Sequence, residues 1–347
     1  MNIVFLLLSA FVVFGTFIPM LRLSHWTVRG WDFPRLQLYV VGQVALAGLL
    51  WPMRGWSPFV LGVMAVLVAA LVTLAAWMWR YTPLSPKQVK DSERSKSPLR
   101  LLVSNVLMTN RDSGKLISAV REKQPDIIVA LETDQWWADQ LSALSESHPH
   151  VVNVPQDDTY GMIVRSRLAL IDPTIEHLVN KEIPSVHFDI ELVDGTIVKV
   201  HALHPKPPFP DEDEDSSDRD AELMVVAKRV KAHGQPCIVL GDMNDVAWSH
   251  TTSLFQKVSG LLDLRIGRGF FSTFNADHWW MRWPLDHVFV SDHFRVQSIE
   301  RLDSVGSDHF PMYAALSFEP EGRGAQYSPT ATDEERREAN EKIKEGG

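Results

Sequence analysis

Between residues 101 and 311, six short apolar runs each deliver an acid, an amide or an imidazole at one end. Leu101-Leu102-Val103 ends in Ser104-Asn105, and the run from Asp126 to Leu131 ends in Glu132. The run from Ile197 to Leu203 ends in His204-Pro205, and Cys237 to Leu240 ends in Gly241-Asp242-Met243-Asn244. Pro284-Leu285 leads into Asp286-His287, and Gly306-Ser307 into Asp308-His309-Phe310-Pro311. Carboxylate and amide oxygens are the ligands a hard divalent cation takes, and a histidine beside an aspartate can move a proton near neutral pH. Singly, each has an ordinary structural reading: a glutamate after a strand is usually a solvated strand end, and Gly-Asp-x-Asn favours a turn.

Such residues act together only if strands bring their ends together. Short β-type runs at 101–103, 127–131, 161–164, 187–192, 197–203, 237–240, 287–290 and 313–318 alternate with two amphipathic helices. One helix covers about 113–123, with Leu116, Ile117 and Val120 on a face; the other covers about 219–232, with Leu223, Val226, Ala227 and Val230. Many strands with few helices predict an α/β layered domain rather than a bundle. The domain is expected over residues 98–318, after a polar linker at 83–97. Residues 319–347 carry few apolar positions and are expected to be a disordered tail, with a transient helix near 333–344.

In this order, the strand ends resemble the endonuclease/exonuclease/phosphatase family, whose best-known member is DNase I, and within it the YafD-like bacterial members. The resemblance covers about residues 99–318 and rests most on Gly241-Asp242-Met243-Asn244 and Ser307-Asp308-His309-Phe310-Pro311. It implies a DNase I-like, four-layered α/β-sandwich and a metal-dependent hydrolase of phosphoric esters. In that chemistry water approaches an anion and an alkoxide leaves, so a cation, a base and donors for the phosphoryl charge are all needed. The resemblance implies Mg2+, with Mn2+ as a substitute, held by Glu132 as principal ligand together with Asn105 and Asp308. It places Asp242 and Asn244 on the attack side, pairs His309 with Asp286 as acid/base, and gives His204 as a donor to the phosphate. Family members differ over whether the histidine or the aspartate takes the proton, so that choice stays open between His309 and Asp242. Some relatives carry an acid two positions after the first-strand asparagine, where this chain has Leu107. Tyr160 stands near a phosphate-contacting tyrosine of some relatives, and Arg282 is a further candidate for phosphate contact.

Charge divides the chain sharply. Of 34 basic and 43 acidic residues, only Arg22, Arg29, Asp32, Arg35, Arg54 and Arg80 fall within the first 82 positions, which are therefore +4 against −13 for the rest. Apolar stretches at about 3–21, 36–53 and 56–79 approach or exceed the roughly 18 to 20 residues that cross about 30 Å of hydrocarbon. Three transmembrane helices are expected over residues 1–82, the second and third as a hairpin about Trp51–Pro58. The first stretch lacks a basic n-region and a small-residue cleavage site, so it reads as a retained span rather than a signal peptide. Lysine and arginine gather in the first loop and after the third span. That bias predicts an integral protein of a bacterial inner membrane with its large domain in the cytoplasm. The pattern excludes both a freely soluble enzyme and a polytopic transporter. The single cysteine, Cys237, excludes an intramolecular disulfide and any multi-cysteine zinc site.

Enzymes that bind duplex DNA typically present a basic stripe. Here the soluble part is acidic, and Asp211-Glu212-Asp213-Glu214-Asp215 follows the loop after His204. A phosphoester substrate is expected, nuclease-type chemistry leading, with phospholipid and inositol phosphate as the alternative. Trp279, Trp280 and Trp283, just ahead of Asp286, could stack on a base or sugar, touch a bilayer surface or pack in the core. A membrane-tethered binding module without activity is the reading from another class, and the intact set of polar residues speaks against it.

Overall fold

The computed structural model describes residues 3–51, 57–93, 98–208 and 214–346. The amino-terminal part holds α1 (Ile3–Phe17), the short α2 (Trp26–Arg29), α3 (Arg35–Leu50) and α4 (Pro58–Trp79). Two stretches, Ile3–Leu21 and Pro58–Trp79, are long and apolar enough to cross a membrane. The second expected span, at about 36–53, forms α3, whose 16 residues reach span length only if joined with Trp26–Asp32, from which α3 is bent by 73°. Pro34 stands at the bend, where its ring removes a backbone donor. Most of the expected hairpin turn, residues 52–56, lies outside the described residues.

The remaining chain runs through β1 (Leu99–Asn105), α5 (Ser113–Lys123), β2 (Ile127–Leu131), α6 (Gln135–Leu141), β3 (His150–Val154) and β4 (Met162–Ser166). It continues with β5 (Ile171–Glu176), β6 (Ser185–Glu191), β7 (Ile197–Leu203), α7 (Ser217–His233), β8 (Cys237–Asp242), α8 (His250–Ser259) and β9 (Leu262–Asp263). Last come β10 (Asp286–Val290), β11 (Phe294–Arg301), β12 (Met312–Phe318) and α9 (Asp333–Glu345). Two six-stranded sheets form, in the orders β11-β12-β1-β2-β4-β3 and β5-β6-β7-β8-β10-β9. Strand residues alternate between faces, so Leu101, Val103, Val129, Val200, Ile238 and Val288 meet between the sheets. Leu102, Ile128 and Ala130 turn outward against Leu116, Trp137 and Leu141 of α5 and α6. Val239 and Phe289 turn outward against Leu223, Val226 and Leu254 of α7 and α8. The result is the expected four-layered α/β-sandwich.

Two expected boundaries differ from the structure. The linker is partly built into the domain, because Val89 is buried in the inter-sheet core and Val296 of β11 donates its N–H to Lys90 O at 3.0 Å. The expected disordered tail is ordered as far as residue 346. Thr332 and Glu335 form a capping box at the start of α9, and Ala339 and Ile343 pack into the core under α7 and α8. Three of its charges are paired with the domain as well: Glu335 with Lys257 and Glu338 with His250, at 2.5 Å each, and Lys342 with Asp220 at 2.8 Å. Low apolar content misleads here, since two apolar residues and a row of ion pairs hold the helix.

The amino-terminal part also docks on the domain. Asp220 in α7 is fully buried and accepts from Arg219 at 2.8 Å, Thr251 at 2.9 Å and Lys342 at 2.8 Å, with Arg29 at 3.7 Å. Burial opposes ionisation of Asp220, and Arg219, Lys342 and Arg29 override it, holding its carboxyl well below the usual range. Arg35 donates to Trp248 O at 2.8 Å, Trp248 Nε1 donates to Asp32 O at 2.7 Å, and the Tyr81 hydroxyl bonds Ala247 O. Trp26 N–H donates to Glu214 O and Ser216 N–H to Ser24 O. A chain begun at residue 98 keeps Arg219, Thr251 and Lys342 on Asp220 but loses Arg29 and the contacts of Ser24, Trp26, Asp32, Arg35 and Tyr81. It is expected to melt roughly 5 °C or more below the full chain in the same detergent, because breaking a buried pair costs about 3–5 kcal/mol; equal melting curves would refute the docking.

Glu222, also on α7, is buried without a partner for Oε1, and burial, aided by Asp218, pushes its pKa up to about 8. A raised carboxyl pKa stabilises the fold below the unfolded value, and that contribution is lost as pH rises from there to about 8. Glu222→Gln should therefore melt like the parent at pH 5 and about 4 °C or more above it at pH 9 in a thermal scan.

Candidate active site

The register that fills the inter-sheet core also aims the strand ends. Counting by twos from Leu101 and Val103 reaches Asn105, from Val200 and Ala202 reaches His204, and from Ile238 and Leu240 reaches Asp242. Counting back from Val290 and Val288 reaches Asp286. All four thus point between the sheets at one end of the sandwich. Antiparallel pairing of β10 with β8 sets Asp286 opposite Asp242, and parallel pairing of β7 with β8 sets Leu203 opposite Gly241. Gly241 has φ 142°, and a Cβ there would lie 1.9 Å from Leu203 O. Only glycine lets the two strands run this close, which leaves His204 Nε2 3.9 Å from Asp242 Oδ2.

His309 sits at the centre. Its Nδ1 lies 2.9 Å from Asp286 Oδ2 and its Nε2 3.6 Å from Asp242 Oδ2. Asn105 Nδ2 donates to Glu132 Oε1 at 2.6 Å and reaches Asp242 Oδ2 at 3.3 Å, while Asn105 Oδ1 accepts from Leu107 N–H. In this geometry Asn105 acts as a donor that aligns two carboxylates. Glu132 and Asn244 adopt the left-handed region, φ 57° and 48°, which costs a non-glycine residue about 1–3 kcal/mol and persists only where the surroundings enforce it. For Asn244 the enforcing contacts are visible: its N–H donates to Asp242 Oδ1, its Nδ2 to Pro205 O, and its carbonyl accepts from Arg219 at 2.8 Å.

Burial works against a charged His309, yet Asp286, Asp242 and Asp308 outweigh it and lift the imidazole pKa to about 10. Burial raises the carboxyl pKa values of Glu132, Asp286 and Asp308, with His309 opposing it at all three and His204 at Glu132 as well. Among the described residues, the ion-pair partners of Asp242 and Asp286 are histidines, and Glu132 and Asp308 have none. Crowded carboxylates without lysine or arginine suit a divalent cation, and Asp242, Asp286 and His309 present ligand atoms within 4.8 Å of one another. His204 Nδ1 is buried with no partner, so this ring retains an unused polar atom in the cleft.

Nine of the ten residues expected from sequence gather at this end of the sandwich. Tyr160 is among them, its ring 5.7 Å from that of His204. Arg282 stands apart from the carboxylates, with its guanidinium over Phe310 at 5.0 Å beside Arg301 and its Nε donating to Asn275 O. Sequence reasoning missed Phe274 as a site residue. Its ring lies 4.9 Å from that of His309, with Trp283 stacked behind it at 6.0 Å and Phe33 edge-on to Trp283 at 5.6 Å. It also missed Arg265, fully buried on Asp263 and reaching Asp286 O at 3.3 Å. No spacing in the sequence marks that arginine.

A second group, His201, His233 and Cys237, lies on the outer face of the second sheet. Burial keeps His201 neutral down to about 2, with His187, His233, Arg229 and Lys199 adding to the effect. Gln235 N–H already occupies His233 Nδ1. Nearby cations and an engaged ring nitrogen fit a structural cluster better than a metal centre.

Two packed mixed sheets with acids and histidines at adjoining strand ends define a DNase I-like domain. The chain belongs to the endonuclease/exonuclease/phosphatase family, whose model matches residues 102–309, more than half of its length. Solved structures of the same architecture include an endonuclease/exonuclease/phosphatase from Beutenbergia cavernae DSM 12333, at 17% identity and TM-score 0.53, covering 65% of this chain and 72% of that one. The human Nocturnin catalytic domain with bound sulfate anion aligns at 18% and 0.53, over 64% of this chain and 94% of that one. D. rerio TDP2 complexed with single strand DNA product aligns at 18% and 0.50, over 64% and 100%. At these identities the likeness is one of fold. No curated protein matches in sequence.

The pairing of His309 with Asp286 is directly testable. Asp286→Asn is expected to keep the parent circular dichroism spectrum while lowering the His309 titration midpoint by about one unit or more, read by NMR on metal-free protein. An unchanged midpoint would mean that Asp286 does not hold the imidazolium.

Proposed function

We propose that this chain is a membrane-anchored, magnesium-dependent phosphoesterase that hydrolyses phosphodiester bonds, of nuclease type. The observation that carries the reading is the cleft itself: Glu132, Asp242, Asp286 and Asp308 with His204 and His309, at strand ends of a domain from this family. Glu132 and Asp308 would hold the cation, with Asn105 aligning Glu132. Bound there, Mg2+ or Mn2+ supplies positive charge to the phosphoryl oxygens and the leaving alkoxide. Asp242 orients or deprotonates the attacking water, and His309 Nε2 faces the same position. Asp286 fixes the His309 tautomer by accepting from Nδ1. His204 donates to a phosphoryl oxygen, Asn244 holds the loop between them, Tyr160 flanks His204, and Arg282 would meet phosphate farther along the substrate.

The amino-terminal helices expose Leu7, Phe14, Val44, Val66 and Val72 around their outside, which supports contact with hydrocarbon. A cytoplasmic domain in a bacterial inner membrane remains the orientation favoured by the basic residues. Arg29 and Arg35 are drawn into buried pairs with Asp32 and Asp220, so the count leans on Arg22, Arg80 and the residues after it. A second reading, hydrolysis of phospholipid or inositol phosphate, is favoured by the ring sequence Phe33, Trp283, Phe274, His309, which links the helix loop to the cleft.

On bis-p-nitrophenyl phosphate, Glu132→Ala, Asp242→Ala and His309→Ala should each lower turnover at least about 100-fold. EDTA should abolish activity and added magnesium restore it. All three variants staying within a few-fold of the parent would sink the assignment. Single-stranded DNA, duplex DNA and phospholipid vesicles, offered to the full chain, separate the two substrate readings.

A further inference from the structure

Residues 274–283 form a hairpin. Phe274 and Trp283 pair through their backbones at its base, Asn275 N–H donates to Met281 O at 3.0 Å, and Asn275 Oδ1 caps the turn by accepting from Asp277 N–H. Its tip carries two adjacent indoles with little cover: Trp279 is 80% exposed and Trp280 57%. Scattered exposed apolar residues are ordinary, but a rigid tip that presents two tryptophans side by side calls for a surface to cover them.

The position of the tip says which surface. Gln37 Nε2 donates to Trp280 O at 2.8 Å, and Gln37 lies in the first turn of α3, at the domain end of the apolar helices. At that same end α4 finishes at the exposed Trp79, and the exposed Arg80 follows. Tryptophan and arginine gathered at one end of apolar helices mark the headgroup level of a bilayer. The base of the hairpin meets the cleft, since Phe274 packs on His309 and Ala276 N–H donates to Asp308 O at 2.6 Å.

We infer that Trp279 and Trp280 enter the headgroup region of the bilayer that holds the amino-terminal helices, so that the 274–283 hairpin is a membrane-contacting arm of the catalytic domain. This rests on the membrane anchoring proposed above and is independent of whether the cleft cleaves DNA or lipid. The arm joins the bilayer surface to the residues beside His309 and Asp308, and it fixes the cleft at a set height and tilt over the lipid plane.

The test uses the full chain in lipid nanodiscs. An environment-sensitive fluorophore is placed by His278→Cys at the tip, by Val193→Cys on the turn between β6 and β7, and by Val66→Cys within α4. The unsubstituted chain controls for labelling of the buried Cys237. With lipid spin-labelled near the headgroup, the probe at 278 should be quenched several-fold more than that at 193, and Trp279→Ala with Trp280→Ala should remove the excess. Quenching at 278 no greater than at 193 overturns the inference. The probe at 66, read with acyl-chain spin label, reports the anchor separately: quenched at 66 but not at 278 refutes the arm alone, and quenched at neither refutes the anchoring too.

Discussion

Asp220 is the carboxylate on which the parts of this chain converge. Arg29 reaches it from the end of α2, Arg219 from its own helix, Thr251 from α8, and Lys342 from α9. A buried carboxylate without such partners would have to be neutral, and removing one partner leaves charge uncompensated in the interior. The same Arg219 donates to Asn244 O, so the hub is one hydrogen bond from the loop that carries Asp242 and Asn244. Amino-terminal helices, carboxyl-terminal helix and the loop of the candidate site therefore share one electrostatic solution.

The strand ends were legible in the sequence because β-structure alternates with a period of two. Runs such as Ile127–Leu131 and Ile197–Leu203 coincide with β2 and β7, and the 113–123 helix coincides with α5. Each polar residue at the next inward position had to face the cleft if its strand was paired. Strands β3 and β5 leave little trace in the sequence because their residues are largely exposed and the apolar alternation is weak. The order of the carboxyl-terminal segment leaves little trace because its support is long-range: Gln326 binds Asp292 O and Phe294 O, and Lys342 binds Asp220. Thr332 and Glu335 did carry a capping signal that composition overrode. The aromatic backing of His309 could not be read locally at all, since Phe33 and Trp283 meet across most of the chain.

The acidic balance takes a different meaning once the cleft is seen. Overall charge sets a field that repels polyanions at long range, whereas the carboxylates of the site form a local demand for cationic charge. Those two effects act on different scales. An acidic exterior therefore does not argue against a phosphoester in the cleft, because a cation held there, as proposed above, would change the sign that the substrate meets at contact distance. The charge division along the sequence is also less absolute than its arithmetic suggests: Arg29 and Arg35, counted with the amino-terminal part, are structurally residues of the domain interface.

The partners of Asp220 also set an order of assembly. Arg29 is synthesised before Asp220, whereas Lys342 follows it by more than a hundred residues. Arg29, at the end of α2, is thus available to the acid as soon as α7 is made, and α9 can close the arrangement only after β12 has completed the first sheet. Contacts so distant in sequence form slowly, because chain must be drawn together before the contact offsets its entropy. Until then the apolar face under α7 and α8 that Ala339 and Ile343 cover stands open, whereas Trp248 is already covered by Asp32 and Arg35 from the chain made first.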